Sequence, residues 1–112
     1  MRLPSANLAI VEREKITDYL LNAEHPDNGG KAAFFIGLDF SREDSSTFKD
    51  ALRKLALLGD VTESMETVHG TKYIVDGELE NPAGKEPWVR SIWIIDTGRD
   101  FPRLVTAYPL GR

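Results

Sequence analysis

The period of the hydrophobic pattern changes at Gly59, and this change limits the fold more than any other feature of the sequence. Before Gly59, apolar residues recur three and four positions apart, which places them on one side of an α-helix. After Gly59, apolar and polar residues alternate, as they do in a strand with one buried face. The order predicts an α+β fold, with about three N-terminal helices packed on one face of a four-stranded antiparallel sheet.

The predicted helices lie at residues 12–23, 31–36 and 48–58. Gly37 and Gly59 end the second and third helices, and Ser45 or Ser46 is expected to cap the third. Residues 1–10 are expected to be extended. The predicted strands lie at residues 61–68, 71–79, 88–96 and 103–108, and the third is the strongest because it is rich in aromatic and β-branched residues.

Alternation along the last two strands predicts which side chains share a face. Ser91 and Trp93 fall on one face of the third strand, and Thr106 and Tyr108 on one face of the fourth. We expect these four side chains to lie together on the open face of the sheet. The residues expected to face the helices are Ile92, Ile94, Val105 and Ala107. Ordinary packing within a sheet is the alternative interpretation of the same pattern.

The segment at residues 25–31 (HPDNGGK) is the most unusual local stretch. It places the imidazole of His25, a glycine-rich turn and the ammonium of Lys31 at the start of a short helix, a position that favours an anion such as phosphate. A connecting turn with a solvated lysine is the alternative. The segment is not a P-loop, because Lys31 is followed by Ala32 rather than by serine or threonine.

The composition excludes several kinds of chemistry. The chain has no cysteine, which removes thiolate nucleophiles, zinc–thiolate sites and iron–sulfur clusters. It has only two histidines, of which we rank His25 above His69 as a proton-transfer group. No histidine pair at helical spacing and no acidic cluster of metal-site spacing occurs, so we expect no metal and no cofactor.

Length and charge narrow the remaining classes. The 112 residues fit a single domain over 1–112, with no stretch near the ~20 apolar residues of a membrane span and no signal-peptide pattern. We therefore expect a cytoplasmic protein, unless a larger polypeptide exports it. The net charge of −4 opposes a broad basic footprint for nucleic acid. Residues 1–84 hold 9 basic and 15 acidic side chains, whereas residues 85–112 hold 5 basic and 3 acidic ones.

Four segments together resemble a family of small bacterial domains that occurs alone and at the C-terminal ends of secreted polymorphic toxins. The segments are LPSANLAI, KITDYLLNAEHPDNGGKAAFFIGLDF, HGTKYIVDGELENPAGK and VRSIWIIDTGRDFPRLVTAYP. The family pattern combines a tyrosine–leucine helix ending in HPxG with KAxxF, GxKY, a tryptophan and PRLVTAYP. Domains of this kind are similar to the barnase, EndoU, colicin and RelE group of ribonucleases, which implies RNA cleavage on the open face of the sheet.

The resemblance implies a function and a set of residues. It selects His25, Lys31, Thr106 and Tyr108 as the catalytic set, and Trp93 with Ser91, which stands where the family more often has threonine, as substrate contacts. Arg90 and Arg103 are secondary substrate-binding candidates, since alternation sends both to the opposite face. The implied activity is a metal-independent endoribonuclease acting on tRNA or other cellular RNA, with a cognate immunity or antitoxin protein as partner.

Two other classes of function stay open at this point. An antitoxin-like or regulatory protein-binding domain suits the acidic pI of about 5.1, because an acidic surface pairs with a basic partner. A small-molecule or nucleotide-binding domain that uses the same sheet face is the other.

Overall fold

Helices precede strands along the chain, as the change of period at Gly59 predicts. A computed structural model describes residues 1–28 and 30–111. The helices are α1 (Arg13–Lys15), which runs into a π-helical segment (Ile16–Leu20), α2 (Lys31–Ile36) and α3 (Ser45–Leu58). The strands are β1 (Asp60–Thr67), β2 (Gly70–Glu78), β3 (Trp88–Asp96) and β4 (Arg103–Pro109). Short 3₁₀ turns cover Ala6–Leu8 and Arg42–Asp44.

The four strands form one antiparallel sheet in the order β1-β2-β3-β4. This confirms the α+β class and the meandering sheet. The predicted bounds of the second helix and the third strand agree with α2 and β3. The packing of all helices on one face of the sheet stays a prediction.

The first helix is shorter and wider than its periodicity predicts. It leaves the α-helical pattern at Ile16, and the amide of Leu21 donates to the carbonyl of Ile16 at 2.9 Å, a bond that spans five residues. This wider turn brings Leu21 to the side of Ile16, and both side chains are buried together with Leu20. The predicted continuation to Ala23 is therefore wrong.

Two smaller predictions also need correction. Asp44, rather than Ser45 or Ser46, occupies the N-cap position of α3, and its carboxylate accepts from the hydroxyls of Ser46 at 2.9 Å and Thr47 at 2.6 Å. The N-terminal residues are not simply extended. After the first 3₁₀ turn, the carbonyl of Ile10 accepts from the amide of Leu104 at 2.9 Å, so this segment lies along β4.

A β-bulge in β4 decides which side chains share a face. Thr106 pairs with Ile92, but Leu104 pairs with Trp93, so Val105 is an extra residue without a partner on β3. Because of this extra residue, Leu104 and Ala107 are both buried although they are three positions apart. Thr106 lies across from Ile92 on the other side of the sheet. Strict alternation, which would put Leu104 and Thr106 on the same face of β4, fails for this reason.

The sheet therefore has two faces of different chemistry. The core face carries side chains buried in one cluster with α3 and the first helical segment: Val75, Leu79, Val89, Trp93, Leu104 and Ala107. The outer face is defined by strand pairing: Asp76, Arg90 and Tyr108 in one row, Ile74, Ile92 and Thr106 in the next, and Lys72, Ile94 and Arg103 in the third.

Ser91 and Trp93 lie on the core face, not on the open face. The Trp93 indole N–H donates to Ser91 Oγ at 2.8 Å, and Ser91 Oγ donates to the carbonyl of Val75 at 2.9 Å. Both side chains are fully buried. The predicted exposure of this pair is wrong. Ile92 and Ile94, which were expected to face the helices, lie on the opposite face and outside the core cluster, although Ile94 is only 3% exposed. Hydrogen bonding inside the core explains how a serine and an indole are accommodated there.

Asn28 fixes the start of α2 against the π-helical segment. Its side chain is 2% exposed, donates from Nδ2 to the carbonyl of Tyr19 at 2.7 Å and accepts at Oδ1 from the amide of Ala32 at 2.9 Å. The start of α2 was predicted to bind an anion through its free backbone amides. The amide of Ala32 is one of these, and it is bonded to Asn28 instead. Gly29, part of the predicted glycine-rich turn, lies outside the described residues.

In the described part of the chain, no helix is both long enough and apolar enough to cross a membrane.

We expect Ser91→Ala to lower the free energy of unfolding by about 1–3 kcal/mol, because it leaves the buried Trp93 N–H without an acceptor. Chemical denaturation followed by tryptophan fluorescence measures this change. The control is Ser64→Ala at an exposed position of β1, for which we expect less than about 0.5 kcal/mol. Equal stabilities of the two variants would contradict the role given to the Ser91 hydroxyl.

Candidate functional site

Lys31 lies at the centre of a polar cluster built from three separate parts of the chain. Its ammonium donates hydrogen bonds to Tyr19 Oη and, at 3.2 Å, to Thr106 Oγ1. Tyr19 Oη and Thr106 Oγ1 are themselves 3.1 Å apart. The π-helical segment, the first residue of α2 and β4 thus meet at one ammonium group. We call Tyr19, Lys31, Thr106 and Tyr108 the Lys31 cluster.

Two aromatic rings flank the Lys31 ammonium. Nζ lies 5.8 Å from the ring centroid of Tyr108, within the range of cation–π attraction, and 4.9 Å from that of Tyr19, which it meets at the hydroxyl end. Lys31 is half-buried. Within the described residues, no carboxylate forms an ion pair with it. The cluster therefore presents a positive charge held by neutral groups, an arrangement suited to an incoming anion.

The phenol of Tyr19 is perturbed by its neighbours. Burial raises its pKa, but hydrogen bonds with Lys31 and Thr106 and the positive charge of Lys31 outweigh burial, so the pKa lies below the ordinary tyrosine value. A lower pKa means that the phenolate forms more readily here than on an exposed tyrosine. Tyr19 is thus a candidate proton-transfer group.

His25 joins the cluster through Tyr19. The two rings meet edge to face, with centroids 5.0 Å apart and planes at 73°. His25 Nδ1 accepts from the amide of Asp27 at 3.1 Å. In the neutral ring this contact places the proton on Nε2, so the structure favours His25 as a hydrogen-bond donor. Accepting a proton at Nε2, as a general base does, would require the other tautomer.

Arg90 extends the site along the outer face. It lies in the same row as Tyr108, and its guanidinium donates to both carboxylate oxygens of Asp76 at 2.9 Å. Hydrogen bonding to Asp76, and to a smaller extent to Tyr108, raises the pKa of Arg90 above its ordinary value. Arg90 and the Lys31 cluster therefore share Tyr108 as a neighbour.

Arg103 lies on the same face at the other end. It donates from Nε to Asp96 Oδ2 at 2.7 Å and from Nη2 to Oδ1 at 3.0 Å. This contact raises the pKa of Arg103 and lowers that of Asp96. The prediction that alternation separates Arg90 and Arg103 from Thr106 and Tyr108 is wrong, because β4 carries the bulge.

The structure brings together most of the predicted site residues. His25, Lys31, Thr106 and Tyr108 converge, and Arg90 and Arg103 lie beside them. Ser91 and Trp93 do not take part, since both are buried on the core face. His69 is exposed in the turn between β1 and β2.

Sequence reasoning missed two residues of this region. Tyr19 lies within the first predicted helix, where its apolar spacing gave it no functional role, and Asp76 in the second predicted strand was given none either. The signal available for Tyr19 was a hydroxyl on an otherwise aliphatic stripe. For Asp76 it was an acidic residue within an apolar strand. Only strand register shows that Asp76 lies opposite Arg90.

A cleft elsewhere on the surface is lined mainly by acidic side chains, which do not suit a polyanion. Its volume is about 730 Å³, and α3 and the segment after β2 line it. Its charged lining residues are Asp39, Asp44, Asp50, Lys54 and Glu80. None of the predicted site residues lines it. Among residues 1–28 and 30–111, no group of three or more histidine or acidic side chains is placed to hold a metal ion.

Comparison with known proteins identifies a solved chain with a similar fold and the family to which this chain belongs. A solved chain from a "Contact-dependent growth inhibition toxin - immunity protein complex from Klebsiella pneumoniae 342" superposes with a TM-score of 0.74 at 15% sequence identity. The match covers 96% of this chain and 98% of that one, and at this identity it shows a shared fold. No curated protein matches the chain. The family model described as "Domain of unknown function (DUF6883)" matches residues 2–111, and the chain belongs to this family.

Proposed function

We propose that this domain is a toxin-type, metal-independent endoribonuclease that cleaves tRNA or other cellular RNA. The observation that carries the proposal is the Lys31 ammonium, held by two hydroxyl-bearing side chains between two tyrosine rings and lacking a carboxylate partner in the described part of the chain. A phosphate of the RNA would complete this site. The outer face would receive the RNA, and the helices would lie against the core face.

The proposed reaction is an internal transfer of the phosphoryl group. The ribose 2'-oxygen attacks the adjacent phosphorus, and the bond from phosphorus to the 5'-oxygen of the next nucleotide breaks. The 2'-proton passes to a base, and the departing 5'-oxygen takes a proton from an acid. The products are a 2',3'-cyclic phosphate and a 5'-hydroxyl. This step needs a base, an acid and a positive charge near the phosphate.

The Lys31 cluster can supply these three functions. Lys31 stabilises the negative charge on the phosphate oxygens, and Thr106 orients its ammonium. Burial raises the pKa of Tyr19, but its bonds to Lys31 and Thr106 lower the pKa by more. Tyr19 therefore accepts the 2'-proton as phenolate. Tyr108, on the other side of the ammonium, donates a proton to the leaving oxygen.

His25 and Arg90 support the reaction from either end of the cluster. His25 donates from Nε2 to a phosphate oxygen and keeps the Tyr19 ring in place through the edge contact. Arg90 holds the phenol of Tyr108 toward the cluster. The proton-transfer role predicted for His25 from sequence thus passes to Tyr19 in this proposal.

Two further observations support a toxin-type function. The fold is shared with a chain of a toxin–immunity complex, and the sequence resembles domains at the ends of polymorphic toxins. A cognate immunity protein is therefore the proposed partner, and cytoplasmic RNA the proposed target.

Cleavage of RNA by the purified domain in EDTA tests the proposal. The substrates are labelled tRNA and a mixed-sequence single-stranded RNA. We expect cleavage that yields cyclic phosphate ends. Lys31→Gln should lower the rate by about 10²–10³, the cost of removing a donor that stabilises developing charge. Tyr19→Phe and Tyr108→Phe should each lower it by about 10²–10⁴.

Matched controls separate catalysis from folding. Lys49→Gln, on an exposed face of α3, and Tyr73→Phe, whose ring packs against the core, should retain wild-type activity. Circular dichroism and thermal melting establish that each variant is folded. Intact RNA with the wild-type protein, or full activity in Lys31→Gln, would refute the assignment.

A further prediction concerns the ionisation of Tyr19. Since Lys31 favours the phenolate, Tyr19 should ionise at lower pH than an ordinary tyrosine, and kcat should rise with pH up to that ionisation. The near-ultraviolet absorbance of tyrosinate measures the ionisation directly. The earliest step should disappear in Tyr19→Phe, move to higher pH in Lys31→Gln and persist in Tyr73→Phe. An unchanged curve for Tyr19→Phe contradicts the prediction.

A protein-binding immunity or antitoxin function is the second candidate, because the net charge of −4 suits a basic partner and the similar chain comes from a toxin–immunity complex. Expression in a bacterial cytoplasm discriminates the two. A toxin should arrest growth, and Lys31→Gln should relieve the arrest. Growth without arrest, combined with co-purification of a basic partner and no RNA cleavage, would favour the second candidate.

A further inference from the structure

Two arginines on the outer face each form a two-point contact with one carboxylate. Arg90 meets Asp76 through Nε and Nη2, and Arg103 meets Asp96 through the same two nitrogens, with all four distances between 2.7 and 3.0 Å. A two-point contact fixes the plane of the guanidinium as well as its position. The side chains remain 31% and 38% exposed.

The two arginines lie in strand rows on either side of the row of Thr106. Arg90 pairs with Tyr108, Thr106 pairs with Ile92, and Arg103 pairs with Ile94. Arg90, Ile92 and Ile94 follow one another at alternate positions of β3. With about 3.3 Å per strand residue, the rows of Arg90 and Arg103 are roughly 7 Å from the row of Thr106, one on each side. The half-buried Ile92 gives an apolar floor between them.

The two arginines and Lys31 differ in how strongly they attract a phosphate. Each arginine already has a carboxylate partner, so it attracts a further anion weakly. Lys31 has none in the described residues and is the better phosphate ligand. A guanidinium that is neutralised at its edge still offers its flat surface, and unstacked bases pack on such surfaces.

We infer that Arg90 and Arg103 are stacking surfaces for the two bases that flank the scissile phosphate, and that the site therefore takes unpaired, single-stranded RNA. This inference rests on the proposed function, because it places the scissile phosphate at Lys31. Bases within a duplex are stacked on each other and cannot reach the two planes, so a loop or an open strand is the substrate.

The experiment measures cleavage of an oligonucleotide whose scissile bond has been mapped with the wild-type domain. Arg90→Lys and Arg103→Lys keep the charge but remove the plane. Each should raise KM about tenfold, the order expected for one lost base stack. We expect little change in kcat for Arg103→Lys, whereas Arg90→Lys should also lower kcat, because Arg90 holds Tyr108. Arg42→Lys, at an exposed position before α3, is the matched control and should leave KM unchanged.

An abasic nucleotide tests each stacking contact separately. Removing the base on either side of the scissile bond should raise KM about tenfold for the wild type. One abasic position should have no further effect in Arg90→Lys, and the other none in Arg103→Lys, since each pair would remove the same contact. The oligonucleotide annealed to its complement should resist cleavage. Independent, multiplying effects in both variants, or equal cleavage of the duplex, would overturn the inference.

A binding measurement separates this inference from the proposed function. If the wild-type domain cleaves no RNA, the proposed reaction fails, and fluorescence anisotropy with labelled oligoadenosine then decides the stacking role. Affinity about tenfold lower in Arg90→Lys and Arg103→Lys, but not in Arg42→Lys, would support the stacking surfaces. Equal affinity of all variants, or no binding by the wild type, would overturn them.

Discussion

The extra residue in β4 is the constraint on which the rest of the site depends. Without the bulge at Val105, Thr106 would share a face with Leu104, which is buried among core residues. With it, Leu104 and Ala107 close the core while Thr106 and Tyr108 reach the other side of the sheet. The carbonyl of Ile10 pairs with the amide of Leu104 beside the bulge. The N-terminal segment therefore helps to fix the strand where the site begins.

The Lys31 cluster shows why a half-buried ammonium can persist without a counterion among the described residues. Its hydrogen bonds go to two hydroxyl groups, and its charge lies within cation–π range of the Tyr108 ring. Such groups satisfy the donors but leave the positive charge uncompensated. The same arrangement lowers the pKa of Tyr19 in spite of burial. The stability of the cluster and the lowered pKa of Tyr19 thus come from one set of contacts. The side-chain bonds of Asn28 hold the π-helical segment and the start of α2 together beside it.

Sequence periodicity predicted elements whose structure is decided locally. Gly37 ends α2, and the β-branched run of β3 has the bounds that its composition indicates. The failures come from long-range contacts. Alternation cannot reveal a single extra residue in β4, and so it misplaced Arg90 and Arg103 relative to Thr106. It also assigned Ser91 and Trp93 to solvent, because a polar residue beside an indole gives no sign that the two satisfy each other inside the core.

The acidity of the chain is compatible with an RNA-binding face because charge is distributed unevenly. Acidic residues line the large cleft beside α3, whereas the outer face near β4 holds Lys31 and two arginines. Both arginines are paired, so few uncompensated cations remain for phosphates. Electrostatic attraction alone would then give weak and unspecific binding. For the proposed RNA substrate, affinity would come mainly from contacts to bases and sugars, which an unpaired strand offers and a duplex hides. The low positive charge therefore favours the same class of substrate as the geometry of the two guanidinium planes.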